Sequence, residues 1–313
     1  MSDNSKKGSL VQIVEYAVAY AFITVFRAVP FRATYILSNL LGSLLYSLLP
    51  RRRNIAIGNI SRAFEGQMTE KEVRKLCRKS FQSLFLTAFE IIKSQHLFRS
   101  PDVKIKIKNT GDQVEELFRK AKKLHDESKG CIFVTPHIGN WELLPAVSSL
   151  VGIPIVIVAR PLDNKYLEKL FYENRTASGQ LVIPKKNAMF VLQRTLQQGR
   201  SIGMLTDQST MKGVSVDFFG RKALTTPVPA VLAITKNRPI VVVACCRIDN
   251  FKFEGFVSDP IWPGEYDNEK DEILRITQAM NTEMEAIIRK HPQQYLWMHD
   301  RWKTYDGRKS PIA

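Results

Sequence analysis

The sequence predicts an α/β fold: a mostly parallel sheet flanked by helices, with membrane-associated helices at the N-terminus. Three observations point there. From about residue 130, short apolar runs of strand length alternate with helix-length segments, the pattern of successive strand–helix units. The first 50 residues hold two long apolar stretches almost free of charge. Neither a linker nor an internal repeat divides the remainder. The 313 residues therefore read as an N-terminal membrane-associated segment over 1–50 and a single α/β domain over 51–313, with a basic helical part at 51–125 and a core at 126–313.

Residues 11–26 carry one charge, Glu15, and residues 33–50 carry none before Arg51, Arg52 and Arg53. A spanning helix needs about 20 apolar residues. The first run is interrupted by its glutamate, and the second contains Ser, Asn and Gly. Three readings stand: one span, two interfacial helices, or a buried helical pair. A secretory signal fits poorly, because no small-residue cleavage site follows a short apolar core. The arginine triplet suits phospholipid head groups at the cytoplasmic edge, or a solvated helix end. Residues 69–92 open with the Thr-x-x-Glu pattern of a capping box, Thr69 to Glu72, and repeat Val73, Leu76, Cys77, Phe81, Leu84, Phe85, Ala88 and Phe89 at helical spacing. Residues 103–108 alternate as a strand with one basic face, and 111–124 form an amphipathic helix.

The core follows in order. Residues 131–134 are a buried strand running through the turn Thr135-Pro-His-Ile-Gly-Asn-Trp-Glu142 into a helix at 143–150. Strands follow at 153–158, 181–183, 201–205, 240–245 and 251–257, with helices at 164–173, 188–198, 227–235 and 269–289. Ligands of such sheets bind beyond the carboxyl ends of the strands, where residues 135–142 and 207–208 fall.

Lys and Arg number 46 against 30 Asp and Glu, a net charge of +16. Residues 1–125 hold 22 basic and 10 acidic residues, so most of the excess lies beside the apolar segment. Anionic partners are implied, either a membrane surface or phosphorylated substrates. Nucleic acid is disfavoured, since no helix-turn-helix, zinc-finger or RNA-binding aromatic signature is present. Cys77, Cys131, Cys245 and Cys246 show no Cys-x-x-Cys and no disulfide framework; the last two read as buried hydrophobes.

The chemistry concentrates in His137-x4-Glu142. A histidine in the turn and a carboxylate in the first helical turn give an imidazole whose tautomer is set by its neighbour, a general base near neutral pH. Without a Gly-x-Ser-x-Gly elbow, the hydroxyl deprotonated belongs to the substrate. The Gly139–Asn140 turn offers backbone N–H donors as an oxyanion site. No second His or Cys stands at ligand spacing, so no metal is expected.

The block Thr135-Pro-His-Ile-Gly-Asn-Trp-Glu-Leu143 resembles the catalytic block of the lipid A biosynthesis late (lauroyl/myristoyl) acyltransferases, within the wider His-x4-Asp/Glu glycerolipid acyltransferases. Later blocks agree in order. Ala159-Arg-Pro-Leu-Asp-Asn164 is followed by Arg175 and Gly179. Leu205-Thr-Asp-Gln208 is followed by Gly213, Val216-Asp-Phe-Phe-Gly220, Ala223, Thr225 and Pro229. A closing Trp297-x-His299-x-Arg301-Trp302 completes the set. The resemblance runs from about residue 10 to 305. It implies a glycerolipid-acyltransferase-like fold. The activity implied is transfer of a fatty acyl chain from an acyl-carrier-protein thioester, or acyl-CoA, to a hydroxyl of a lipid A precursor at the inner face of the cytoplasmic membrane. His137 would be the base and Glu142 its orienting partner, with no cofactor and no covalent intermediate.

The other blocks carry over more loosely. Arg160 and Arg175 suit a phosphate or an oxyanion, or form ion pairs with neighbouring helix acids. Asn164 joins them as a substrate-binding candidate. Asp207 and Gln208 orient a loop or bind a sugar hydroxyl, or cap a strand end. Phe218-Phe219-Gly220 lines an acyl groove or packs a hairpin. Trp297, His299, Arg301 and Trp302 are an interfacial cluster or buried packing. The alternative acceptor is another anionic glycolipid or an aminolipid. The alternative class is a non-enzymatic anion-binding protein, separated from the first by acyl transfer lost in His137→Ala.

Overall fold

In the computed structural model, the described residues are 9–97, 112–159, 162–177, 180–184, 188–249 and 252–303. The basic strand expected at 103–108 lies outside them. Five apolar runs pair in parallel as β1 (Ile132–Thr135), β2 (Ile155–Ala159), β3 (Leu181–Pro184), β4 (Ser201–Leu205) and β7 (Ile240–Asp249), and β8 (Lys252–Val257) closes one edge antiparallel. The spatial order is β3-β2-β4-β1-β7-β8. β5 (Val214–Phe218) and β6 (Arg221–Thr225) form a separate hairpin.

The strands read as continuous apolar runs because both sheet faces are covered. Alternate side chains enter alternate cores. Ile132, Val134, Val242, Ala244 and Cys246 point into one cluster, while Cys131, Phe133, Val241, Val243 and Cys245 point into the other. The first cluster is closed by α3 (Pro50–Ala63), α8 (Ala188–Gln197), α9 (Val228–Lys236) and α10 (Glu269–Lys290). The second is closed by α5 (Asp112–Ser128) and α6 (Leu143–Leu150). α7 (Lys165–Ala177) connects β2 to β3. The four cysteines are all buried and free.

Towards the N-terminus, α1 (Ser9–Ala28) and α2 (Phe31–Leu48) precede α3 and α4 (Glu70–Leu97). The capping box forms as the sequence implies. The Glu72 carboxylate accepts from the Thr69 amide at 2.8 Å, and the Thr69 hydroxyl accepts from the Glu72 amide at 3.4 Å. α4 runs past the expected end at 92 to Leu97. The apolar run at 33–50 breaks at Leu49–Pro50, where α2 and α3 meet at 98°. The arginine triplet occupies the first turn of α3. Arg52 donates to the Met298 carbonyl at 3.4 Å, and Arg53 donates to the Tyr46 carbonyl at 3.3 Å with its guanidinium 5.4 Å from the Tyr46 ring centroid.

Of the readings left open for the late blocks, packing prevails. Phe218 and Phe219 are buried against Trp302 and Trp297, with Phe64 edge-on to Phe219. Arg301 is buried, donating to the Leu224 carbonyl at 2.8 Å and the Thr225 hydroxyl at 2.6 Å. The closing block thereby fastens the hairpin to the sheet.

α2 lies so close on α4 that a Cβ at Gly42 would stand 2.4 Å from the Gln82 Cα. Gly42→Val is expected to lower stability by about 1–3 kcal/mol, as overpacking at a tight contact does. A thermal melt in detergent checks this; an unchanged midpoint would mean that α2 can lift from α4 without cost.

Candidate active site

Neighbouring parallel strands deliver their following loops to the same sheet edge. β1 and β4 are such neighbours, with Thr135 opposite Leu205 at their carboxyl ends. His137 follows the first and Asp207 the second. The two meet through both carboxylate oxygens: Asp207 Oδ2 accepts from the His137 amide at 3.0 Å, and Oδ1 stands 2.7 Å from His137 Nδ1. Asp207 is buried, so Nδ1–H donates and the basic lone pair is left on Nε2. The Trp141 ring lies edge-on to the imidazole, centroids 5.3 Å apart.

The electrostatics agree with this arrangement. Burial alone would lower the His137 pKa, but the charge and hydrogen bond of Asp207, with the charge of Glu142, raise it above the ordinary 6.5. Burial alone would raise the Asp207 pKa. The His137 charge and hydrogen bonds, and the charge of Arg301, hold it below the ordinary 3.8 instead.

Several expectations change. The carboxylate on Nδ1 belongs to Asp207, where the sequence pointed to Glu142. Glu142 acts on the imidazole through its charge and lines the cavity beside it. Asp207 is buried, and each of its carboxylate oxygens is bonded to His137. The Gly139 and Asn140 amides are not free for an oxyanion: Gly139 N–H donates to the Gln294 carbonyl at 3.3 Å and Asn140 N–H to the Cys245 carbonyl at 2.9 Å. Asn164 is buried and hydrogen-bonded within the protein. Its Oδ1 caps α7 by accepting from the Tyr166 and Leu167 amides at 3.0 and 3.2 Å, and its Nδ2 donates to the Gln12 carbonyl at 2.8 Å and to Glu15 at 3.1 Å. Gln208 is exposed and lines the cavity. Arg160 lies outside the described residues, as does the side chain of Arg175.

A second set of residues holds the turn and escaped the sequence reading. Gly139 has φ +57°, and a Cβ there would meet the Cys245 carbonyl oxygen at 2.1 Å, so only glycine fits. The Gly139 carbonyl accepts from the Thr87 hydroxyl at 2.8 Å and from Arg247 at 3.4 Å. Arg247 is paired with the fully buried Glu90 at 2.6 Å, and Asn140 Nδ2 donates to the other Glu90 oxygen at 3.1 Å. Gln294 bonds the Arg247 backbone on both sides at 2.8 Å. From the C-terminal side, the Leu296 amide donates to the His137 carbonyl at 3.0 Å. One signal was present in the sequence: Glu90 is a lone acid inside the apolar stretch 84–92 of α4.

His137, Glu142 and Gln208 sit at a cavity of about 520 Å³. It continues between the sheet and α5 and α6, along Phe118, Ala121, Phe133, Leu144, Ile155 and Val243. Gly203 of β4 lines it too, and a Cβ there would stand 3.1 Å from Ile155 and 3.2 Å from Ile157. An activated imidazole beside an apolar cavity suits proton abstraction from a hydroxyl next to a bound aliphatic chain.

Residues 4–304 match the model of the bacterial lipid A biosynthesis acyltransferases. Among curated proteins, the chain is 28% identical to the phosphatidylinositol mannoside acyltransferase of Mycolicibacterium smegmatis over 56% of its own length and 58% of that protein's. It is 24% identical to the lipid A biosynthesis palmitoleoyltransferase of Escherichia coli over 88% of its own length and 86% of the relative's. A similar likeness, 24% over 88% and 86%, holds to the lipid A biosynthesis lauroyltransferase of the same organism.

The Asp207 contact has a direct readout. A group with a raised pKa stays protonated to higher pH, so the His137 ring should titrate above 6.5. Asp207→Asn removes the charge responsible and should move the midpoint down. An NMR titration of the ring resonances checks both. A wild-type midpoint at or below 6.5, or no downward move in the variant, would mean that Asp207 does not govern the imidazole.

Proposed function

The chain belongs to the bacterial lipid A biosynthesis acyltransferases, and on that premise we propose that it transfers a fatty acyl chain from an acyl-carrier-protein thioester to a hydroxyl of a lipid A precursor. One observation carries this reading: an imidazole held by a buried carboxylate lines a largely apolar cavity. Acyl transfer from a thioester to an alcohol needs a base for the hydroxyl proton and a dry sleeve for the chain.

The steps follow from the side chains. His137 Nε2 takes the acceptor hydroxyl proton as the oxygen attacks the thioester carbonyl. A tetrahedral oxyanion forms, the C–S bond breaks, and the imidazolium returns the proton to the departing thiolate. Asp207 fixes the tautomer and stabilises the imidazolium. Glu142, on the cavity side, adds negative charge that favours the same protonated state. No cofactor enters this balance. Exposed Gln208 of the cavity lining, Arg160 and Arg175 are the candidates for holding the phosphorylated head group. The net charge of +16 suits an anionic donor and an anionic acceptor at the cytoplasmic side of the inner membrane. A second reading is acylation of another anionic glycolipid; the likeness to a phosphatidylinositol mannoside acyltransferase favours it.

His137→Ala is expected to lower acyl transfer about 10²–10⁴-fold. Turnover near wild type would overturn the mechanism. Mass spectrometry of lipids from a deletion strain decides the acceptor: loss of a secondary acyl chain from lipid A supports the first reading, and loss from another glycolipid the second. Supplying acyl-carrier-protein and CoA thioesters side by side identifies the donor.

The cavity makes a separate claim. Gly203→Val places two methyl groups where a single Cβ already presses on Ile155 and Ile157. Products should shift to shorter chains. An unchanged product distribution would mean that the acyl chain lies elsewhere.

A further inference from the structure

α1 is long and apolar enough to cross a bilayer. It is also fastened to the α/β domain near both ends. At its start, Asn164 of the α7 cap donates to the Gln12 carbonyl and to the Glu15 carboxylate, and Tyr16 lies 5.9 Å from Tyr166, ring centroid to centroid. At its middle, Ile23 is buried with Phe89 and Ile92 of α4 in a cluster that Leu170 of α7 also joins, and Phe26 stacks on Phe89 at 4.5 Å. At its end, Lys93 of α4 donates to the carbonyls of Arg27 and Val29. From Gln12 to Arg27 is 15 residues, about 22 Å of helix. Over that length, one face of α1 lies against α4 and α7.

A spanning helix contacts lipid or other spanning segments through the hydrocarbon region. α7 brings Lys165, Glu168 and Lys169 within a turn or two of its contacts with α1, charges that the bilayer interior excludes. The lone charge of the apolar run, Glu15, is turned to the domain and hydrogen-bonded there. The outward stripe is apolar: Val11, Val14, Val18 and Val25 recur at helical spacing and are all exposed. Ile36, Leu40, Leu44 and Leu48 make a second exposed stripe along α2. Basic residues border both, with Arg27 and Arg32 at the α1–α2 junction and Arg78 bonded across to Ser43 of α2 at 3.0 Å.

We infer that α1 does not span the membrane but lies along its surface, its Val11-to-Val25 stripe sunk into one leaflet beside α2. The occupant of this face is an anionic phospholipid leaflet, which the bordering arginines match in charge. The arrangement gives α1 a task in the fold. Asn164 and Tyr166 grip it, while Leu162 and Glu168 beside them line the cavity. A helix floating in the leaflet thereby holds this wall of the cavity near the membrane surface. The inference rests on packing alone and stands whichever lipid is the acceptor.

The test reads depth. The four native cysteines are buried, so single cysteines introduced by Val11→Cys, Val18→Cys and Val25→Cys in the full-length protein take a fluorescent maleimide selectively. Each labelled protein is reconstituted into phosphatidylethanolamine–phosphatidylglycerol vesicles containing lipids with nitroxides at graded depths. The expected result is one shallow depth for all three positions, agreeing within about one helical turn of 5 Å. A spanning helix would instead separate positions 11 and 25 by about 21 Å and put position 18 near the midplane, which overturns the inference. Labels quenched by no lipid would overturn it as well, since the face would then be covered by protein. Acyl transfer by each labelled protein is measured alongside, and loss of transfer with an unchanged depth profile counts against the catalytic reading only.

Discussion

The arrangement of the site depends on one carboxylate. Asp207 places one oxygen on the amide and the other on the ring of the same residue, His137. The first contact fixes where the loop after β1 runs, and the second fixes which imidazole nitrogen is basic. A carboxylate buried this deeply is tolerated only because its partners return what it loses in hydration. The pairing is therefore a constraint on the sheet as well as on the chemistry: β1 and β4 must be neighbours, and in register, for the two residues to meet.

Around that contact the protein builds a second brace, and its energetics differ. Glu90 and Arg247 form a buried ion pair whose further hydrogen bonds go to Asn140, Ser83, Thr87, Gln294 and the Gly139 carbonyl. Burying the pair adds little net stability over an apolar packing, but removing one partner leaves an uncompensated charge at a cost of about 3–5 kcal/mol. Its contribution is positional. It joins α4, β7 and the turn that carries His137, while the C-terminal block closes from the other side through the Leu296 amide. The Gly139 and Asn140 amides are hydrogen-bonded within this bracing.

The same helix that supplies Glu90 supplies Phe89 and Lys93 to α1. α4 thus joins the turn that carries His137 to α1 within one turn of helix.

Much was legible in the sequence because it is written in local patterns. The strand–helix alternation, the α4 capping box, the helix at Leu143–Leu150 and the turn bearing His137 follow from period, caps and punctuation within a dozen residues. The buried character of Cys245 and Cys246 was equally local, two neighbours of one strand facing opposite cores. The partner of His137 was not legible. Glu142 is five positions away and Asp207 seventy, and only the strand order β2-β4-β1 makes the distant one adjacent. Asn164 reads as a polar residue near a cavity until the cap of α7 and the flank of α1 are seen to use it up. The Gly139–Asn140 amides look available until β7 and Gln294 arrive to accept them. Residue types and local periods fix which elements form and which side chains can do chemistry. Which of those side chains are free to do it is settled by hydrogen bonds between segments far apart in the chain, and those exist only once the sheet has assembled.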